Sequence, residues 1–130
     1  MYPVAIEKVT GIMKFGDCIN PRNNKKDFHT GMDFQAAEGE HIIAPESGVV
    51  IESKFDEKKG NYIVIKHSEM FSTEYYHLKN SIVSAGDRLA AGQTIGYVGK
   101  TGVAKGSHLH YEVFKNGKNV DPNDFLPKRQ

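Results

Sequence analysis

SHLHYEVF, residues 107–114, changes character at every second position, and the alternation sets two imidazoles on one side. In an extended chain successive side chains point to opposite faces, so His108, His110, Glu112 and Phe114 share one face and Leu109, Tyr111 and Val113 the other. The apolar set predicts a strand packed on a core. The two histidines then stand side by side, about one strand repeat apart, where they could share a metal or a substrate. Polar strand faces often carry histidines with no such task, so the pair needs support from elsewhere in the chain.

The surrounding sequence continues as short extended segments punctuated by glycine. Asn116-Gly117 directly after the run is a strong two-residue hairpin signal, and TIGYVGK (94–100) before it suits a short, tightly turned strand. Upstream, SGVVIES (47–53), NYIVIKH (61–67) and STEYYHLKN (72–80) also read as strands. Alternation puts Ile63, Ile65 and His67 on one face of the second, and Thr73, Tyr75 and His77 on one face of the third. VDPNDFLP (120–127) offers Asp121 as an N-cap with Pro122 at the first helical position, enough for one turn. No segment keeps apolar residues at helical spacing for three turns. The expected fold is mainly β: a single antiparallel domain, sandwich or open barrel-like, with little or no helix.

At 130 residues the chain fits one domain with a real core. Its 17 Lys+Arg nearly balance 16 Asp+Glu, so no basic field announces nucleic acid and partners must be argued from a site. A single cysteine, Cys18, excludes an internal disulfide and a thiolate-rich zinc cluster. MYPVAIEKVTG at the N-terminus has neither a basic leader nor an apolar segment, and no 18-residue apolar run occurs. These features predict a soluble chain with no export signal of its own.

FHTGMDF (28–34) supplies the second chemical stretch. Read as extended, it places His29, Gly31 and Asp33 on one face, with Gly31 leaving a notch between imidazole and carboxylate that could hold a metal ion. Phe28, Thr30, Met32 and Phe34 on the other face would anchor it in the core. A catalytic zinc site keeps three protein ligands and leaves the fourth position to water; here the available ligands are His and Asp. His29, Asp33 and one histidine of the 108/110 pair complete such a set, and spacing does not say which. The other histidine of the pair and His77 are left as spare imidazoles, suited to taking a proton from water and stabilising an oxyanion.

FHTGMDF, the YYHL segment and above all GYVGKTGVAKGSHLHYEV (96–113) resemble the lysostaphin-type, or LytM-like, zinc metallopeptidases that cut peptide cross-links in bacterial peptidoglycan. FGDCINP (15–21), APESGVV (44–50), GNYIVIKH (60–67) and VDPNDFL (120–126) extend the likeness over nearly the whole chain, giving one domain over 1–130 with a core from about 9 to 127. The resemblance implies one Zn²⁺ per chain held by His29, Asp33 and His110, with His77 and His108 as the catalytic imidazoles. It also implies a peptidoglycan peptide as substrate, and from that substrate action in the periplasm, at the cell wall or outside the cell; the sequence leaves the oligomeric state open, with a monomer favoured. With no signal visible, an excised domain or a phage-borne enzyme would explain that location.

Three features depart from the family pattern. Cys18 stands where an arginine is usual after Phe15-Gly16-Asp17, Lys105 stands where a small hydroxyl residue is usual, and HSEMFST (67–73) lacks a glycine turn in a loop expected near His77. Tyr75 is a candidate for substrate or outer-sphere hydrogen bonding and Glu112 for orienting a ligand imidazole, whereas His41 and His67 are given structural or exposed roles. Two other classes stay open from sequence: a non-catalytic relative that binds peptidoglycan or activates a partner hydrolase, and a non-haem Fe(II) oxygenase using the same two-His, one-carboxylate set.

Overall fold

The computed structural model describes residues 1–19 and 23–127. FGDCINP therefore lies partly outside the described residues. Twelve strands account for most of the regular structure: β1 (Gly11–Met13), β2 (Gly16–Ile19), β3 (Lys26–His29), β4 (Met32–Gln35), β5 (His41–Ile43) and β6 (Gly48–Asp56), then β7 (Gly60–Lys66), β8 (Phe71–Ser81), β9 (Arg88–Leu89), β10 (Thr94–Val98), β11 (His108–Lys115) and β12 (Lys118–Val120). Two short 3₁₀ turns, Ile6–Lys8 and Pro122–Phe125, are the only helical elements among the described residues. In the second, Asp121 caps as expected, its carboxylate accepting from the Asn123 N–H at 2.9 Å.

Ten strands form one open antiparallel sheet whose main path runs β1–β4–β11–β8–β7–β6–β9. β8 serves two branches. Residues 71–76 pair with β11, while residues 78–81 pair with β10, which in turn carries β5. β2 and β3 form a separate two-stranded ribbon. Asn116 and Gly117 take the left-handed conformations, φ 53° and 78°, that a type I′ hairpin between β11 and β12 requires.

Alternation does what the sequence predicts along β11: Leu109, Tyr111 and Val113 face a core shared with Phe34, Ile42, Ile63, Ile65, Leu78, Ile95 and Val98. The core reaches back past Val9 to Val4, which is fully buried and bridges Ile42. Complete burial of side chains of this size contributes roughly 1.5–3 kcal/mol each before the entropy of ordering is subtracted.

FHTGMDF does not form one straight strand. The chain bends at Thr30–Gly31, leaving His29 at the end of the ribbon and Asp33 in β4 of the main sheet. Only Met32 and Phe34 enter the core, whereas Phe28 is 51% exposed and Thr30 is exposed. Gly31 opens no notch either. A Cβ there would lie 2.3 Å from the Tyr111 carbonyl oxygen and 2.9 Å from Glu112 Cγ, so glycine is needed for the close approach of β11.

Candidate active site

Strand register brings the first two ligand candidates together. β11 pairs with β4 so that His110 is directly opposite Asp33, and His110 Nδ1 lies 2.7 Å from Asp33 Oδ1. The end of the ribbon brings His29, whose Nε2 lies 3.3 Å from the same oxygen. The three ligand atoms lie within 4.8 Å of one another. His108, two residues before His110 on the same face, brings Nε2 to 4.0 Å from Asp33 Oδ1.

Backbone carbonyls accept but never donate, so they fix the tautomers of three rings. His29 Nδ1–H donates to the Lys14 carbonyl at 2.9 Å, His77 Nδ1–H to the Thr101 carbonyl at 2.8 Å, and His108 Nδ1–H to the Gly106 carbonyl at 2.9 Å. Each ring therefore turns an Nε2 lone pair away from its anchor. His110 is held the other way round, with Nε2 donating to the Glu112 carboxylate at 2.8 Å and Nδ1 facing Asp33. Glu112, itself 6% exposed, is fixed by Thr30 Oγ1 at 2.7 Å and Asn119 Nδ2 at 3.2 Å. It thus occupies the orienting position expected from its strand face.

The electrostatics suit a cation. Burial disfavours charge on Asp33, yet the hydrogen bond from His110 and the His29 imidazole 3.3 Å away hold its carboxyl well below the usual range. Burial likewise opposes charge on His110, but its bonds to Asp33 and Glu112 push the imidazole up to about 9. His29 is raised against its own burial by the Asp33 carboxylate and the Lys14 carbonyl. Without an ion, then, a proton on His110 compensates the two carboxylates. His29 Nε2 is buried and makes no hydrogen bond. An orphaned imidazole nitrogen, a second imidazole and a carboxylate facing one point match the donor set of a zinc site, and these residues fit the ion.

His77 reaches the site by an irregularity. Asn61 of β7 pairs with Leu78 and Ile63 with Tyr75, so Tyr76 and His77 together oppose the single residue Tyr62 in a β-bulge. His77 adopts φ +68°, a left-handed conformation that bulky side chains rarely take. Strict alternation is therefore broken, and the expectation that Tyr75 shares the His77 face is overturned. Tyr75 is fully buried in the core, its hydroxyl bonded to Thr73 Oγ1. Tyr76 faces the site instead: its ring stacks on His110 at 5.0 Å and 20°, and its hydroxyl donates to Glu74 at 2.7 Å. His77 and His108 have ring centroids 4.9 Å apart. Burial pushes the His77 imidazole below its ordinary value, favouring the neutral ring.

Sequence reading missed Tyr76 because no residue type announces a bulge. The other departures resolve by position. Cys18 and Lys105 both line the cavity of about 930 Å³ over the histidines, together with Ile19 and Phe28 of the ribbon and Val103 of the loop before β11. The 67–73 segment turns at the Phe71 end of β8, six residues from His77 and so about 20 Å along the strand, not beside it. His67 is structural, its ring bridging the Ser47 carbonyl and Thr73 Oγ1 at 2.8 and 2.7 Å.

Residues 27–122 match the model of peptidase family M23. The chain is 40% identical over 113 residues to peptidoglycan DD-endopeptidase ShyC of Vibrio cholerae serotype O1, covering 86% of this chain and 26% of that protein. It thus spans about a quarter of the length of that curated relative. Among solved structures, a zinc-containing peptidase from Vibrio cholerae superposes with a TM-score of 0.80 at 32% identity, covering 92% of this chain and 37% of the other. The catalytic domain of lysostaphin from Staphylococcus simulans superposes with a TM-score of 0.82 at 28% identity, covering 92% and 93%. A match over most of the chain, joined to a His-Asp-His cluster at the crossing of ribbon and sheet, makes this protein a member of peptidase family M23.

Proposed function

We propose that this chain is a zinc-dependent endopeptidase that hydrolyses peptide cross-links of bacterial peptidoglycan. The observation that carries the reading is the convergence of His29 Nε2, Asp33 Oδ1 and His110 Nδ1 under a groove that also receives His77 and His108. One zinc ion bound there supplies a Lewis acid that lowers the pKa of water and polarises a peptide carbonyl. His29, Asp33 and His110 would hold it, and Glu112 fixes the His110 ring through Nε2.

His77 and His108 do the proton work. With Nδ1 committed to backbone carbonyls, both rings present Nε2 to the groove: the neutral ring accepts the proton of the attacking water, and the other, carrying a second proton at Nε2, donates to the carbonyl oxygen as negative charge develops. The exposed apolar side chains of Ile19, Phe28 and Val103 line the groove of about 930 Å³ and offer apolar contacts to a bound peptide. Such a substrate lies outside the cytoplasmic membrane, so the proposed site of action is the periplasm or the cell wall. Among the described residues no helix is long and apolar enough to cross a membrane.

The test is to incubate purified protein with isolated cell walls, measuring bound zinc and the release of new amino termini. About one zinc per chain and chelator-sensitive release are expected. Full zinc occupancy without any release would overturn the peptidase reading in favour of a peptidoglycan-binding module, and protein that takes up no zinc would overturn the ligand set.

A further inference from the structure

A left-handed histidine inside a strand persists only where its surroundings over-determine it. At His77 those surroundings converge on Thr101, a residue in the loop between β10 and β11. The Thr101 carbonyl accepts His77 Nδ1–H at 2.8 Å, while its hydroxyl donates to the carbonyl of Leu78, the next residue along β8, at 2.6 Å and accepts the Asn61 N–H at 3.1 Å. The backbone of His77 is gripped from a third side, its N–H donating to the Lys59 carbonyl at 2.7 Å. Asn61 Nδ2 completes the lock with bonds to the Leu78 and Lys79 carbonyls at 3.2 and 3.0 Å.

The loop is pressed against the β6–β7 turn closely enough that neither contact residue can carry a Cβ. One on Gly60 would meet Thr101 at 2.3 Å, and one on Gly102 would meet the Gly60 nitrogen at 2.4 Å. Val103 N–H then donates to the Lys58 carbonyl at 2.9 Å. Thr101 thus joins three things: the bulge, the β6–β7 turn and the loop that carries the groove residue Val103.

We propose that Thr101 is a positioning residue whose hydroxyl pins the 99–107 loop to β8, so that its own carbonyl holds His77 in the Nδ1–H tautomer with Nε2 directed into the groove. The inference rests on His77 being the proton acceptor of the two imidazoles proposed above, the role that its neutral, buried ring suits. Without the hydroxyl, the carbonyl shifts away from Nδ1. The Nε2–H tautomer then becomes populated, and it has no lone pair to offer at the reacting side.

The test compares Thr101→Val, which keeps shape and loses the hydroxyl, with Thr101→Ser, which keeps the hydroxyl. Both are zinc-loaded, and His77→Ala is run alongside. For Thr101→Val, kcat on isolated cell walls should fall about tenfold or more with KM within about twofold, as expected when a reacting group is misplaced without loss of binding. Zinc content should stay at the parent value, and long-range ¹H–¹⁵N spectra should show the His77 ring gaining Nε2–H character. Thr101→Ser should restore both kcat and the Nδ1–H signature. If Thr101→Val does not fold, Asn61→Ala removes the other half of the lock and should give the same spectral change and loss of kcat. Parent-like kcat and an unchanged tautomer in the folded variant would overturn the positioning role while His77→Ala remains inactive. An active His77→Ala would instead overturn the reading of His77 on which this role depends.

Discussion

The β4–β11 pairing and the middle of β8 reach the same groove by opposite means. In β4–β11 every residue obeys the two-residue period, and the proposed ligand pair Asp33 and His110 follows from register alone. In β8 the period fails at Tyr76–His77, and the second imidazole arrives through a bulge that costs backbone strain and needs an external lock. Regular pairing is enough to bring Asp33 and His110 face to face, while His29 joins them from the ribbon. An imidazole that is to act there also needs a chosen tautomer, and for His29, His77 and His108 that choice is made by carbonyls on loops rather than by strand pairing.

Substitutions at the two regions should separate these contributions. The largest effect is expected for His110→Ala, which removes a proposed ligand: bound zinc and cell-wall cleavage should both be lost, measured by metal analysis and amino-terminus release. If His110→Ala keeps zinc while His108→Ala loses it, the ligand assignment is reversed. His108→Ala should keep zinc and lower turnover by about 10²–10⁴-fold, the range for loss of a positioned acid or base. Glu112→Gln leaves the ring of His110 supported by a weaker partner, so zinc affinity should drop by about 10–100-fold in a competition titration.

A pH titration of the metal-free protein addresses the β4–β11 pair by itself. The folded-state pKa of His110, about 9, lies above its ordinary 6.5. Its contribution to metal-free stability is therefore complete below about 6.5 and declines as pH rises through about 9. Zinc must displace the same proton, so zinc affinity should climb over that interval while the metal-free melting temperature falls. A flat melting temperature between pH 6.5 and 9 would remove the Asp33–His110–Glu112 linkage as its cause. The smallest effect on cleavage belongs to Tyr75→Phe, which deletes a core hydrogen bond to Thr73: stability should drop by about 1 kcal/mol with turnover unchanged.

What could be read in advance divides along the same line. Strands whose core side chains recur at every second position announce themselves, as Leu109, Tyr111 and Val113 of β11 and Ile63 and Ile65 of β7 do, and so does the Asn116-Gly117 turn. The family likeness named His110 rather than His108, a choice that spacing left open. The bend at Thr30–Gly31 was not legible, because nothing in FHTGMDF reveals that its two halves belong to different sheets. Nor was the bulge, since the left-handed residue is a histidine rather than a glycine. The roles of Gly31 and Thr101 depend on backbone atoms of segments remote in sequence, and no local pattern encodes those.

His29 sits on the ribbon, whereas Asp33 and His110 sit in the main sheet, and the two units exchange no strand hydrogen bonds among the described residues. An ion gripped by all three is therefore a rivet between otherwise independently laced pieces of backbone. Withdrawing it should let the ribbon breathe, so that amide exchange in β2 and β3 quickens while β7 and β8 keep their protection. Because Ile19 and Phe28 ride on that ribbon, a cation bound there would also stiffen the rim of the groove in which the proposed substrate lies.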